Sequence, residues 1–142
     1  MTATHDNGRL APGPAADIYQ APRVDKPWGH EIHFASHDDL YVGKIIQVMA
    51  GHSLSLQYHV RKDETISVLS GEALIEYGPA DGALTSRQFG PGDTIHLPPR
   101  TVHRITAITD LTFAEASSAQ PGWREDVVRL EDKYGRAGTS AP

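Results

Sequence analysis

The stretch Gly51-His52-Ser53-Leu54-Ser55-Leu56-Gln57-Tyr58-His59-Val60-Arg61-Lys62-Asp63-Glu64-Thr65-Ile66-Ser67-Val68-Leu69-Ser70-Gly71 decides the fold. Polar and apolar residues alternate along it. Ser53, Ser55, Gln57 and His59 share one face of an extended strand, and Leu54, Leu56 and Tyr58 share the other. After a charged turn at 60–63 the chain resumes with Glu64, which opens a second strand on the face of Ile66 and Val68. If these are neighbouring strands, Gln57, His59 and Glu64 meet. An imidazole, a carboxylate and an amide oxygen converging on one point suit a divalent cation. His103, which follows the Pro- and Gly-punctuated stretch 90–100, can complete the set.

Outward from this stretch, short strand patterns recur at intervals of about ten residues. They cover residues 28–34, 41–50, 72–77, 84–89 and 105–116, the last broken at Thr109-Asp110. Residues 72–77 are expected to pair with 66–69 across Ser70-Gly71. Only 126–133 has helical character, and it is short enough to be an extended segment instead. The spacing predicts an all-β chain, most economically an antiparallel jelly roll, in which two short-stranded sheets close over a cavity. If Gln57 and His59 point into that cavity, Leu54, Leu56 and Tyr58 point out and need a cover. The segment around 19–28 and a second subunit are the candidates, so a homodimer is expected.

The chain has 142 residues and a formal charge of −5, which fits one domain and argues against a nucleic-acid surface. With no cysteine, disulfides and thiolate chemistry are excluded. No apolar run approaches a bilayer span and no secretory pattern opens the chain, so a cytoplasmic protein without membrane partners is expected. Residues 1–17 and 137–142 are poor in large apolar groups and are expected to be disordered tails around a single domain at 18–136.

Gly51, Gln57, His59, Glu64 and Gly71 resemble the first cupin motif, with Gln57 where the first His usually stands. Gly92, Pro98 and His103 resemble the second, with Arg100 and Ala107 replacing its usual Gly and Asn. A closer resemblance runs from about Lys26 to Arg136. Lys26-Pro27-Trp28-Gly29, Tyr41 with Lys44, Ser55 to His59, Ser70 to Ala73, His103-Arg104 and the closing Asp126-Val127-Val128-Arg129-Leu130-Glu131-Asp132-Lys133-Tyr134-Gly135-Arg136 are similar to the type II mannose-6-phosphate isomerase family. That resemblance implies a divalent-metal aldose–ketose isomerase acting on a hexose 6-phosphate. It implies Gln57, His59, Glu64 and His103 as metal site and a role in activity for Arg136. The chain departs from the family at Val60-Arg61-Lys62, where a His-rich run is usual, and at Thr65-Ile66, where a His-aromatic pair is usual.

Aldose–ketose isomerisation needs a base for the proton moved between C1 and C2 and positive charge for the developing oxyanion. Glu115 shares a strand face with Leu111 and Phe113, so it is expected inward, either catalytic or paired with a cation such as Lys44. Lys44 is either an inward substrate contact or an outward surface lysine. Arg104 and Arg136 are candidates to hold a phosphate by bidentate hydrogen bonds, although arginines near a chain end are more usually solvated. His96 is more often structural than catalytic in such a strand. Trp28 and Trp123 are read as packing or loop residues before sugar platforms.

The oxygen-rich donor set leans toward Mn, Fe or Co, with Zn and Ni the other metals considered. The plain alternative is a barrel lined by polar residues without metal. Two other functions remain open beside the isomerase: a metal-dependent cupin oxygenase on a small organic substrate, and a non-catalytic carbohydrate-binding cupin. The expected partner in the leading reading is a small sugar or sugar phosphate.

Overall fold

A computed structural model describes residues 5–6, 9–13 and 15–140. Thirteen strands follow in chain order: β1 (His5–Asp6), β2 (Arg9–Leu10), β3 (Arg23–Lys26), β4 (Gly29–His37), β5 (Tyr41–Val48), β6 (Leu56–Tyr58), β7 (Glu64–Ser70), β8 (Ala73–Pro79), β9 (Thr85–Phe89), β10 (Thr94–Leu97), β11 (Thr101–Ala107), β12 (Leu111–Ser118) and β13 (Val128–Glu131). No helix occurs among the described residues, so no helix there is long and apolar enough to cross a membrane. The helical alternative for 126–133 is thereby corrected to strand β13. Alternating burial on either side of Arg129 suits the edge of a sheet, and β13 pairs with β6.

Two antiparallel sheets face each other, one ordered β10-β7-β12-β5-β4-β3 and the other β13-β6-β11-β8-β9, while β1 and β2 form a separate pair. This is the expected jelly-roll arrangement. The core lies between the sheets, where Trp28, Ile46, Val48, Ile66, Val68, Ile75, Leu111 and Phe113 are all almost fully buried. Burial of each large side chain contributes about 1.5–3 kcal/mol. Alternation on β7 and β12 works as expected: Glu64, Ile66 and Val68 face in, as do Leu111, Phe113, Glu115 and Ser117.

Three expectations about pairing and facing are corrected. β8 does not pair with β7 across Ser70-Gly71 but with β11 and β9, so the chain changes sheets there. Gly71 has φ of 85°, and a Cβ on it would stand 2.1 Å from the carbonyl oxygen of Asp110. That close approach lets the chain cross tightly from one sheet to the other. β6 and β7 likewise belong to facing sheets, so residues 57–59 meet Glu64 across the cavity and not along a shared ladder. Leu54 does not point outward: the regular strand begins only at Leu56, the alternation is broken upstream of it, and Leu54 packs against the core.

The segment 19–28 does not cover the outer face of β6. It contributes β3 to the edge of the opposite sheet, paired with β4. Of the stretches read as disordered tails, residues 1–4, 7, 8, 14, 141 and 142 lie outside the described residues. Residues 138–140 fold back on the β13 region, with Gly138 N donating to Arg129 O at 2.9 Å and Ser140 Oγ to Val127 O at 3.1 Å.

Candidate metal centre

His59 follows β6, His103 lies on β11, and Glu64 opens β7 in the facing sheet. All three are buried, with 8%, 2% and 3% of their surface exposed. Glu64 Oε1 lies 3.1 Å from His103 Nε2 and 3.5 Å from His59 Nε2. Each ring is oriented by its other nitrogen: His59 Nδ1 donates to Asp126 O at 2.6 Å, and His103 Nδ1 donates to Thr101 O at 3.0 Å. Both Nε2 atoms therefore turn toward the same carboxylate, which is how metal-binding histidines are commonly held.

The spacing fits a shared divalent ion. Ligand atoms about 2.1 Å from one ion stand about 3.0 Å apart at a right angle and about 3.4 Å apart at a tetrahedral one. The triad's donor atoms all lie within 4.8 Å of one another. Gln57 is the register partner of His103 across β6 and β11 and lines the same pocket, where its Oε1 accepts a hydrogen bond from Ser55 Oγ at 2.9 Å.

Burial opposes the charge on Glu64, but hydrogen bonds from His103 and His59 and the nearby Lys62 ammonium outweigh it, and its pKa falls well below the usual carboxylate range. Burial likewise opposes a charged His103, yet its contact with Glu64 raises its pKa. Lys62, 5% exposed, stands 3.5 Å from Glu64 Oε2 and 3.0 Å from Glu115 Oε2. Desolvation works against its charge, and Glu115 and Glu64 more than offset it, so its pKa is raised. Glu115 Oε2 also accepts from Ser117 Oγ at 3.0 Å.

His59 and Glu64 of the triad line a cavity of about 220 Å³ between the sheets. Lys26, Glu31, His33, Lys44, Lys62, Glu115, Arg124 and Arg129 give it a largely charged lining, and Val24, Ile46, Leu54, Trp123 and Val127 give it apolar walls. Glu31 accepts from His33 Nε2 at 2.7 Å and Lys44 Nζ at 3.3 Å. Burial alone would raise its pKa, but these partners bring it down to about 2.

Of the residues singled out in the sequence, Gln57, His59, Glu64, Glu115 and Lys44 come together here. The expected cation for Glu115 is corrected: its partner is Lys62, and Lys44 pairs with Glu31. Arg104 is also corrected, because it makes a bidentate pair with Glu76 at 2.9 and 3.1 Å and lines a different depression with Ser53 and Asp132. Arg136 is not part of the cavity lining and is held by Asp132 at 2.9 and 3.2 Å. His96 donates to Asp63 at 2.7 Å on the exposed side of β10.

Trp28 is core, whereas Trp123 lines the cavity, with the Arg124 guanidinium 4.3 Å from its ring centre. No individual role for Lys26, Glu31, His33, Lys62 or Arg129 is legible in the sequence. Only Glu31 and His33 carried a signal, as alternating polar residues on a strand.

Two packed antiparallel sheets enclosing a His-Glu-His triad define a cupin. The family described as Mannose-6-phosphate isomerase C-terminal matches residues 16–132, and the chain belongs to that family. It is 32% identical over 125 residues to the alginate biosynthesis protein AlgA of Pseudomonas aeruginosa, a match covering 83% of this chain and 24% of that protein. It is 30% identical over 115 residues to the mannose-1-phosphate guanylyltransferase of Escherichia coli, covering 80% and 23%. The chain thus spans about a quarter of the length of these curated relatives.

Among solved structures, the capsular polysaccharide assembling protein CapF of Staphylococcus aureus superimposes with a TM-score of 0.70 at 17% identity, over 81% of this chain and 33% of that one. A single-substitution variant of the oxalate decarboxylase of B. subtilis does so with 0.71 at 14%, over 83% and 33%. At these identities the likeness concerns the fold.

Proposed function

We propose that this protein is a metal-dependent aldose–ketose isomerase acting on a sugar phosphate of the mannose 6-phosphate type. The observation that carries the reading is the placement of Glu115 and Lys62 beside the His59, Glu64 and His103 triad, with Lys62 bonded to Glu115 and next to Glu64. A divalent ion held by the triad, with Gln57 as further donor, would supply Lewis-acid polarisation of a sugar carbonyl. Mn, Fe and Co suit such a nitrogen- and oxygen-donor set, and a B. subtilis oxalate decarboxylase of the same fold is described with Mn(II) centres.

Glu115 is the base. Lys62 and Ser117 both bond its Oε2, leaving Oε1 to take the proton from one carbon of the C1–C2 pair and return it to the other. The Lys62 ammonium stabilises negative charge developing on the substrate oxygen. Trp123 and Val127 exclude water from one side of the cavity.

The test is a coupled assay for conversion of mannose 6-phosphate to fructose 6-phosphate with added Mn, Co or Zn, comparing wild type with His59→Ala and Glu115→Gln. Turnover is expected in the wild type alone, and removed by chelation. Absence of turnover with every metal would overturn the isomerase reading.

A further inference from the structure

Beyond Lys62, the lining of the cavity carries positive charge that the isomerase reading leaves unused. Lys26 comes from the edge strand β3, Arg129 from the edge strand β13 of the facing sheet, and Lys44 from β5. All three line the same cavity as His59 and Glu64. Glu31 is the carboxylate among them, and it is already engaged by His33 and Lys44. The Lys26 side chain, unlike its strand-paired backbone, makes no hydrogen bond or ion pair among the described residues.

Arg129 is only 7% exposed, and its Nε is buried without any hydrogen-bond partner. Its Nη1 makes just two long contacts, 3.4 Å each, to the carbonyl and hydroxyl oxygens of Thr139. Asp132, an acidic residue of the closing segment whose charge acts on Arg129, is taken up by Arg136. Leaving guanidinium donors unpaired at this depth is costly unless an anion meets them.

We propose that Lys26, Lys44 and Arg129 form a subsite for a doubly charged oxyanion, of the kind a phosphate monoester presents. Glu31 engages Lys44 and leaves Lys26 and Arg129 without a carboxylate partner of their own, and a phosphate monoester carries about −1.5 to −2 near neutral pH. The planar Arg129 fork offers directed donors from one sheet, and the two ammonium groups offer mobile ones from the other. The cations also disfavour one another. Desolvation first, and then repulsion from Lys44, Arg136 and Arg129 against the pull of Glu31, lowers the pKa of Lys26. Desolvation and Arg136 lower that of Arg129. A bound dianion relieves both effects.

The subsite deepens the isomerase reading by naming the residues that hold the substrate's phosphoryl group, in place of Arg104. Its test is nevertheless independent of turnover. Inorganic phosphate is titrated into the full, EDTA-treated chain at low salt and followed by calorimetry, with thermal melts of every variant. Saturable one-to-one binding is expected, weakened at least tenfold by Arg129→Ala and by Lys26→Met, and less by Arg129→Lys. Lys26 lies at a sheet edge, so its variant keeps the test open should Arg129→Ala fail to fold.

Fructose 6-phosphate should compete with phosphate, and fructose should not. Lack of saturable binding, binding indifferent to Lys26→Met, or displacement by acetate as readily as by fructose 6-phosphate would each overturn the subsite. A protein that binds phosphate this way yet fails to isomerise mannose 6-phosphate would retain the subsite and lose only the isomerase.

Discussion

Asp126 holds His59 with its backbone and the turn that follows His59 with its side chain. Its carbonyl accepts from His59 Nδ1 at 2.6 Å, and its carboxylate accepts from the amides of Val60, Arg61 and Lys62 at 2.7, 2.9 and 2.8 Å. Burial opposes the charge of that carboxylate, and the three amides outweigh it, so its pKa is lowered. One residue thus orients a candidate metal ligand and shapes the turn that carries Lys62 into the cavity.

Asp126→Ala keeps the carbonyl but frees the turn. It is expected to cost about 1–3 kcal/mol of stability and to weaken metal binding by about 10–100-fold. Calorimetric metal titration checks the second effect, and amide hydrogen exchange at 60–62 checks the first. Unchanged protection at those amides would show that the carboxylate does not hold the turn.

The buried pair of Lys62 and Glu115 yields a second prediction. Lys62→Met leaves Glu115 and Glu64 without their ammonium and is expected to destabilise the fold by about 3–5 kcal/mol. Adding Glu115→Gln removes one of the stranded charges and should recover part of that loss. A urea-denaturation double-mutant cycle should give a coupling of about 1 kcal/mol or more, whereas additivity within about 0.5 kcal/mol would show that the two do not act together.

Lys62 also marks where sequence reasoning stops. Alternation reports the face of a residue inside a regular strand, which is why Glu64 and Glu115 were legible as inward groups. Lys62 sits in a turn whose shape is set by Asp126, more than sixty residues away, and no local pattern reports that. The same parity rule, applied to β11, puts Arg104 and His103 on opposite faces, which the expectation of Arg104 as a phosphate ligand overlooked.

Sheet membership was less legible than strand existence. Residues 64–70 and 73–79 read correctly as strands, but whether a short link forms a hairpin or crosses between sheets depends on distant contacts, here with Asp110. Arg129 stayed hidden because β13 gains its extended form from pairing with β6, against a local pattern compatible with a helix.

Glu31 gives a pH prediction with a defined sign. Its pKa in the folded protein is about 2, against an ordinary value of 4.5. A depressed carboxylate contributes stability that is fully present above the unfolded value and is lost as pH falls from about 4.5 toward about 2. At most about 3–4 kcal/mol is involved, from roughly 1.4 kcal/mol for each tenfold change in proton affinity. Glu31→Gln should therefore be less stable than wild type in urea at pH 6, with the difference shrinking by pH 3. A constant difference across that range would mean that His33 and Lys44 do not hold the carboxylate ionised.

Gly71 and Gly92 separate backbone conformation from close packing. Both have positive φ, 85° and 89°, which a side chain adopts at a cost of about 1–2 kcal/mol. A Cβ at Gly92 meets no atom within 4 Å, whereas one at Gly71 would stand 2.1 Å from Asp110 O and 3.1 Å from Leu111 Cα, both backbone atoms. Gly92→Ala should cost only the conformational penalty. Gly71→Ala must in addition push the start of β12 away from the crossing between the sheets, so its loss of stability should exceed that of Gly92→Ala by about 2 kcal/mol or more. Urea denaturation of the two variants makes the comparison, and equal losses would mean that the link at Gly71 can shift without disturbing the contact that lets the chain change sheets.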